Sequence, residues 1–174
     1  MNGINQHIWM FIIPGMLANV SHMLVVKRNL FAMLSIPVSE PIFGRNKTWR
    51  GFLYLPVAMG SLCTVSSLFR GPFLASHAAD LLAGLGMGLA YMIAELPNSF
   101  FKRRMGIGSG ESSGSHPLLQ LIIDKSDSLV GACLFYGLVT GTGLLEMLLL
   151  FSVCLVLHAF ISWLLVLAKL KKSI

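Results

Sequence analysis

Asp124 and Asp127 stand three residues apart in a polar break, Asp124-Lys125-Ser126-Asp127-Ser128, inside an otherwise apolar stretch. On a helix that spacing projects both carboxylates from nearly one face. Two such groups in a poorly solvated place repel each other and resist ionisation. A hard divalent cation relieves the conflict. Mg²⁺ takes oxygen ligands, usually one or two carboxylates completed by water and substrate phosphate. The plainer reading is a pair of acids favoured by a helix N-terminus, or paired with Lys125.

A second block runs Glu95-Leu96-Pro97-Asn98-Ser99-Phe100-Phe101-Lys102-Arg103-Arg104. Pro97 has no backbone N–H and predicts a helix that kinks or ends near it, turning Asn98 and Ser99 toward a cavity. A third block, Gly44-Arg45-Asn46-Lys47-Thr48-Trp49-Arg50-Gly51, is rich in cations and glycine. It lacks the spacing of a P-loop, but its cations and backbone N–H groups suit polyphosphate; a loop that anchors anionic lipid headgroups is the simpler alternative. Together the blocks set carboxylates beside cations, the combination that metal-bridged phosphate chemistry requires.

The elements that must position these blocks are membrane helices. Of 174 residues, 55% are hydrophobic and only 11% charged, with mean hydropathy +0.76. A soluble domain carries roughly 25% charged residues and has too little interior to hide such a surface. The excess of 13 Lys+Arg over 7 Asp+Glu fits cytoplasmic loops better than nucleic-acid binding. The expected architecture is a single all-α polytopic membrane domain over 1–174, with five transmembrane helices at about 8–26, 51–69, 73–95, 118–145 and 147–168. Four of the five are long enough alone to cross ~30 Å of hydrocarbon. The fourth is broken by its aspartates.

Basic residues alternate rich, poor, rich, poor, rich between the spans: Lys27 to Arg50, then Arg70, then Lys102 to Arg104, then none, then Lys169 to Lys172. The positive-inside rule makes the N-terminus outside and the C-terminus cytoplasmic. All three polar blocks then face the cytoplasm. The first span has no basic flank before it and reads as a retained helix. Gly84 and Gly88 form a small-x-x-x-small pair, which serves packing within the chain or, as the lesser reading, a homodimer face. Cys63, Cys133 and Cys154 read as small buried residues. His22 and His158 read as packed histidines, and His116 borders the aspartate block. The 106–115 stretch reads as a flexible inner loop.

Lys47-Thr-Trp-Arg-Gly51, Glu95-Leu-Pro-Asn-Ser-Phe-Phe-Lys-Arg-Arg104 and Asp124-Lys-Ser-Asp-Ser-Leu-Val-Gly131 resemble the CDP-archaeol synthase family, relatives of the CDP-diacylglycerol synthases. The resemblance implies a cytidylyltransferase of the cell membrane. It would join CTP to a lipid phosphate, an isoprenoid glyceryl phosphate or phosphatidate, in phospholipid synthesis with Mg²⁺. It implies a metal site at Asp124 and Asp127 supported by Glu95, with Lys47 and Arg50 on the CTP phosphates and Thr48 beside them. Lys102 and Arg103 would then meet the lipid phosphate or the departing pyrophosphate. Asn98, Ser99 and Ser128 would orient phosphate oxygens or metal-bound water. A small transporter or a non-catalytic lipid-binding protein are the competing classes; against both, the acids gather at one face, with only Asp80 and Glu146 near the other.

Overall fold

The computed structural model describes residues 3–109 and 117–167. Expectations resting on the loop beyond 109, on His116, on the Lys125 side chain and on the lysines of the 168–174 tail lie outside the described residues. The regular elements are helices, as they must be where no water can satisfy the backbone. They are α1 (Gly3–Lys27, π-helical at His7–Ile12), the one-turn α2 (Glu40–Phe43), α3 (Trp49–Arg70), α4 (His77–Arg104), α5 (Pro117–Thr140) and α6 (Leu144–Leu167).

Among the described residues α1, α3, α4 and α6 are long and apolar enough to cross a membrane. The apolar part of α5, Ser126–Thr140, is shorter; at ~1.5 Å per residue it rises about 22 Å. The polar break does not interrupt α5, which runs as one helix from Pro117 to Thr140. Outward faces expose large apolar side chains, among them Phe69, Leu82, Leu138 and Val156, as lipid-facing surfaces do.

Several boundaries differ from the sequence expectation. The first span begins at Gly3, not near 8. The fourth ends at Thr140, five residues short of 145, where Gly141 turns the chain at φ +69°, and the fifth begins at Leu144, not 147. The third span starts at His77, not near 73, because Ser76 caps it, its hydroxyl accepting the Ala79 N–H at 3.2 Å. Buried Asp80 folds the preceding loop back by accepting the N–H groups of Phe73 (3.0 Å) and Leu74 (2.9 Å). The same helix also continues through Pro97 to Arg104. Proline removes one i−4 hydrogen bond, but Pro97 stands on an exposed face, and packing of α4 against α3 and α5 carries the helix through it.

That packing depends on absent side chains. A Cβ on Gly84 would sit 2.6 Å from the Gly60 Cα, and one on Gly88 2.6 Å from the Pro56 Cα. The small-residue face of α4 is therefore occupied by α3 within the chain. Gly131 on α5 meets the Ala90 carbonyl oxygen of α4 just as closely, at 2.5 Å from a built Cβ. All three cysteines are buried and free, and they join Met10, Phe11, Met59, Met87 and Tyr136 in one apolar core.

Candidate functional site

The polar blocks meet at one end of the bundle, where the C-terminal parts of α1 and α4 and the N-terminal parts of α3 and α5 come together. Block one is pinned to the chain that follows α1. Val38 N–H donates to the Lys47 carbonyl (2.8 Å), and Trp49 N–H donates to the Ile36 carbonyl (3.0 Å). Thr48, extended at φ −112°, ψ 155°, turns the chain into α3. These bonds hold Lys47, Thr48 and Arg50 against α4.

Asn98 is the centre of the acidic side. Its single amide nitrogen donates to Asp124 Oδ1 at 2.7 Å and to Asp127 Oδ2 at 2.8 Å. The two oxygens therefore lie no more than about 5.5 Å apart. Lys102, one turn further along α4, donates to both oxygens of Asp124, forming an ion pair. Asp127 also accepts the Ser128 N–H at 2.6 Å. Lys47 donates to Glu95 in a half-buried ion pair, and the charges of both reach Asp127. Tyr91, one turn before Glu95, faces Ser128.

Glu95 thus points into the bundle and shares one electrostatic environment with the aspartates. It is not, however, grouped with them as a ligand set: no three acid, His or Cys side chains among the described residues are arranged to hold one metal ion. Glu95 turns to Lys47 because their pairing offsets the desolvation of both charges. The aspartates remain a two-carboxylate site. Such a site fits Mg²⁺ held by one or two carboxylates and completed by substrate phosphate, and it does not form an all-protein cage.

The cations divide by task. Arg50 is buried, and its Nη1 donates to Asn29 Oδ1 (3.3 Å) and the Leu30 carbonyl (3.2 Å), fixing a loop in which Asn29 and Phe31 both adopt φ +51°. Its Nε is buried without a partner. Arg103 Nε is likewise buried and unpartnered, packed under Gly44, where a Cβ would come within 3.3 Å of it. Arg45 pairs with Glu40 at the surface. Ser99 and Ser128 are buried.

A cavity of about 370 Å³ opens on the Lys47–Glu95 side of the site, lined by Asn19, His22, Ser35, Lys47, Arg50, Tyr91 and Glu95 with their neighbours and not by Asp124 or Asp127. Asn19 and Tyr91 also line an apolar crevice bounded by Phe11, Met16, Met59, Leu129 and Ile161. Sequence reasoning missed Asn19, His22 and Tyr91 as site residues. The available signal was Asn19 and His22, polar and three apart on the apolar α1, which face the cavity together.

Fold and site define a polytopic, all-helical membrane protein with a charged pocket at one end of its bundle. The chain is 40% identical over 128 residues to the CDP-archaeol synthase of Staphylothermus marinus, a match covering 72% of this chain and 65% of that one. The chain is thus similar to the CDP-archaeol synthases, as its motifs imply, and the match spans less than two-thirds of that relative's length. No protein-family profile matches it, and no solved structure matches it significantly.

Proposed function

We propose that this protein transfers a cytidylyl group from CTP to a lipid phosphate and releases pyrophosphate, as the name of its Staphylothermus relative suggests. The observation that carries the reading is the Asn98 amide joined to Asp124 and Asp127, with Lys102 on the same carboxylate. Carboxylates and cations then stand together at the end of the bundle where a cavity opens beside Lys47 and Glu95, an arrangement that supports a reaction between two phosphate-bearing substrates. Asn19 and Tyr91 line both the polar cavity and a small apolar crevice, so polar and apolar surfaces adjoin beside the site.

A phosphate monoester loses its second proton near pH ~6, so the acceptor needs no dedicated general base. One of its oxygens attacks the α-phosphorus of CTP. The bond from that phosphorus to the β-phosphate bridging oxygen breaks, and its electrons leave with pyrophosphate. The obstacle is repulsion between the anions, and the catalytic task is to neutralise and align them. Asp124 and Asp127 are the residues that would hold Mg²⁺, with Asn98 setting their spacing. Bound there, Mg²⁺ supplies charge neutralisation at the phosphates. Glu95 keeps Lys47 aimed into the cavity until phosphate competes for it. Lys47, Arg50, Lys102 and Arg103 neutralise the phosphates of the two substrates, and Thr48, Ser99 and Ser128 orient their oxygens.

In this reading α5 is the fourth of five spans, its polar turn at Asp124–Ser128 standing at the cytoplasmic interface. The N-terminus is outside, and the site opens to the cytoplasm from the cell membrane. The acceptor is an isoprenoid glyceryl phosphate of the archaeol type, with phosphatidate as the competitor. The test is purified protein in detergent with labelled CTP, Mg²⁺ and a panel of lipid phosphates, with pyrophosphate as the readout. Release that depends on one lipid phosphate supports the assignment. No release across the panel refutes it.

A further inference from the structure

Arg70 is a cation that the candidate site does not use. It closes α3, whose first turn carries Arg50, so the two stand about 30 Å apart at ~1.5 Å per residue. In the loop pattern it is the one lysine or arginine on the cation-poor side of the bundle. The helix macrodipole favours a cation in a last turn, which accounts for the charge and not for its posture. The guanidinium is laid across to α1, its carbon 3.7 Å from the centre of the Trp9 ring. Stacked there, it gives a face to the indole, while its N–H donors lie in the guanidinium plane and stay open to an anion. Among the described residues Arg70 has no hydrogen-bond or ion-pair partner. Asp80, at the same end of the bundle, is buried and accepts the Phe73 and Leu74 N–H groups instead.

From Arg70 and Trp9 a groove of about 330 Å³ runs between α1 and α3. Its walls are Ile13 and Leu17 on α1 and Leu62, Val65 and Phe69 on α3. Leu17, Val65 and Phe69 are exposed, so the groove opens on the outward, lipid-facing side of the bundle. An apolar cavity of about 150 Å³ accepts one benzene ring, so this groove has room for a stretch of about a dozen chain carbons.

The order of groups along the groove selects its occupant. The cation and the indole stand at the ends of their helices, where membrane headgroups lie, and the apolar walls run from there toward the middle of both spans. A soluble anion would meet Arg70 and leave the walls uncovered. A zwitterionic lipid would cover the walls but bring its own cation beside the guanidinium. A lipid with a net negative phosphate head satisfies both parts.

We propose that this groove binds one anionic phospholipid of the surrounding membrane, its phosphate on the Arg70 N–H groups and one chain along Ile13, Leu62 and Val65. The site lies at the opposite end of α3 from Arg50 and is independent of the reaction proposed above.

Trp9 is a reporter within the groove. With Trp49→Phe and Trp163→Phe it becomes the only tryptophan of the chain. Full-length protein is reconstituted in bilayers of phosphatidylglycerol and phosphatidylcholine, one of the two brominated in its acyl chains so that it quenches a neighbouring indole. The two complementary mixtures give the affinity of the groove for the anionic lipid relative to the zwitterionic one. The expected ratio is about fivefold, the factor that one basic residue supplies near an anionic membrane surface. Arg70→Gln removes the charge and should bring the ratio to about one. Arg70→Lys keeps the charge and should retain most of the preference. Each value is a ratio within one variant, so any change in the brightness of Trp9 on losing the guanidinium cancels. Equal quenching by the two lipids with Arg70 in place overturns the proposal. A preference that survives Arg70→Gln overturns it as well, because the anion is then held by another group.

Discussion

Replacing Asn98 tests the centre of the site most directly. Its amide nitrogen bridges Asp124 and Asp127 at 2.7 and 2.8 Å. Hydrogen bonds to charged acceptors contribute about 1.5–3 kcal/mol each when one partner is removed. Two full charges no more than about 5.5 Å apart repel by about 3 kcal/mol or more at an effective dielectric of 20. Without the amide, Asp124 is held, among the described residues, by Lys102 alone, and Asp127 is expected to lose its alignment with it. If about 2–3 kcal/mol of that misalignment reaches the transition state, kcat/KM falls roughly 30–150-fold, since ~1.4 kcal/mol is a factor of ten. Asn98→Leu removes the donor. Asn98→Asp keeps the shape but adds a third carboxylate, and it should fall further. The assay is CTP-dependent pyrophosphate release by protein shown to be folded by its unfolding temperature in detergent. Asn98→Asp activity within threefold of the wild type would refute the role given to this cluster.

Asp124→Asn should abolish pyrophosphate release while the protein still inserts into membranes; near-normal turnover would remove Asp124 from the proposed metal site. Lys47→Met leaves Glu95 half-buried without its partner, so it should lower the unfolding temperature more than the double change Lys47→Met with Glu95→Gln; additive effects would show that the pair is not coupled. Gly88→Ala drives a Cβ to 2.6 Å from the Pro56 Cα, and overpacking of this kind costs about 1–3 kcal/mol; an unchanged unfolding temperature would contradict the close α3–α4 contact. Asp80→Ala strips the Phe73 and Leu74 N–H groups of their acceptor. It should destabilise the fold and leave the KM values of the remaining folded protein alone, because Asp80 lies at the opposite end of α4 from Glu95.

Hydropathy alone determined that this chain is a bundle of membrane helices. Apolar runs longer than the hydrocarbon thickness have one stable backbone solution, and that solution is legible without coordinates. It also showed that the three polar blocks fall near alternate helix ends, and therefore at one side of an up-and-down bundle, with Arg70, Asp80 and Glu146 at the other. The aspartate spacing on α5 was equally plain, because three residues nearly complete a helical turn.

Only the tertiary structure decided the partners. Glu95, expected beside a metal, meets Lys47, and Lys102, expected on phosphate, meets Asp124. Pairing between separate helices depends on their rotation and depth, which the Gly60, Gly84, Gly88 and Gly131 contacts set and which no local pattern encodes. Pro97 illustrates the same limit: its local preference to end a helix gives way to packing on both flanks of α4. His22 was invisible as a site residue for the converse reason. A histidine in an apolar run looks the same in sequence whether it packs among neighbouring helices or lines a cavity, and that difference is made by the placement of α1 against α3.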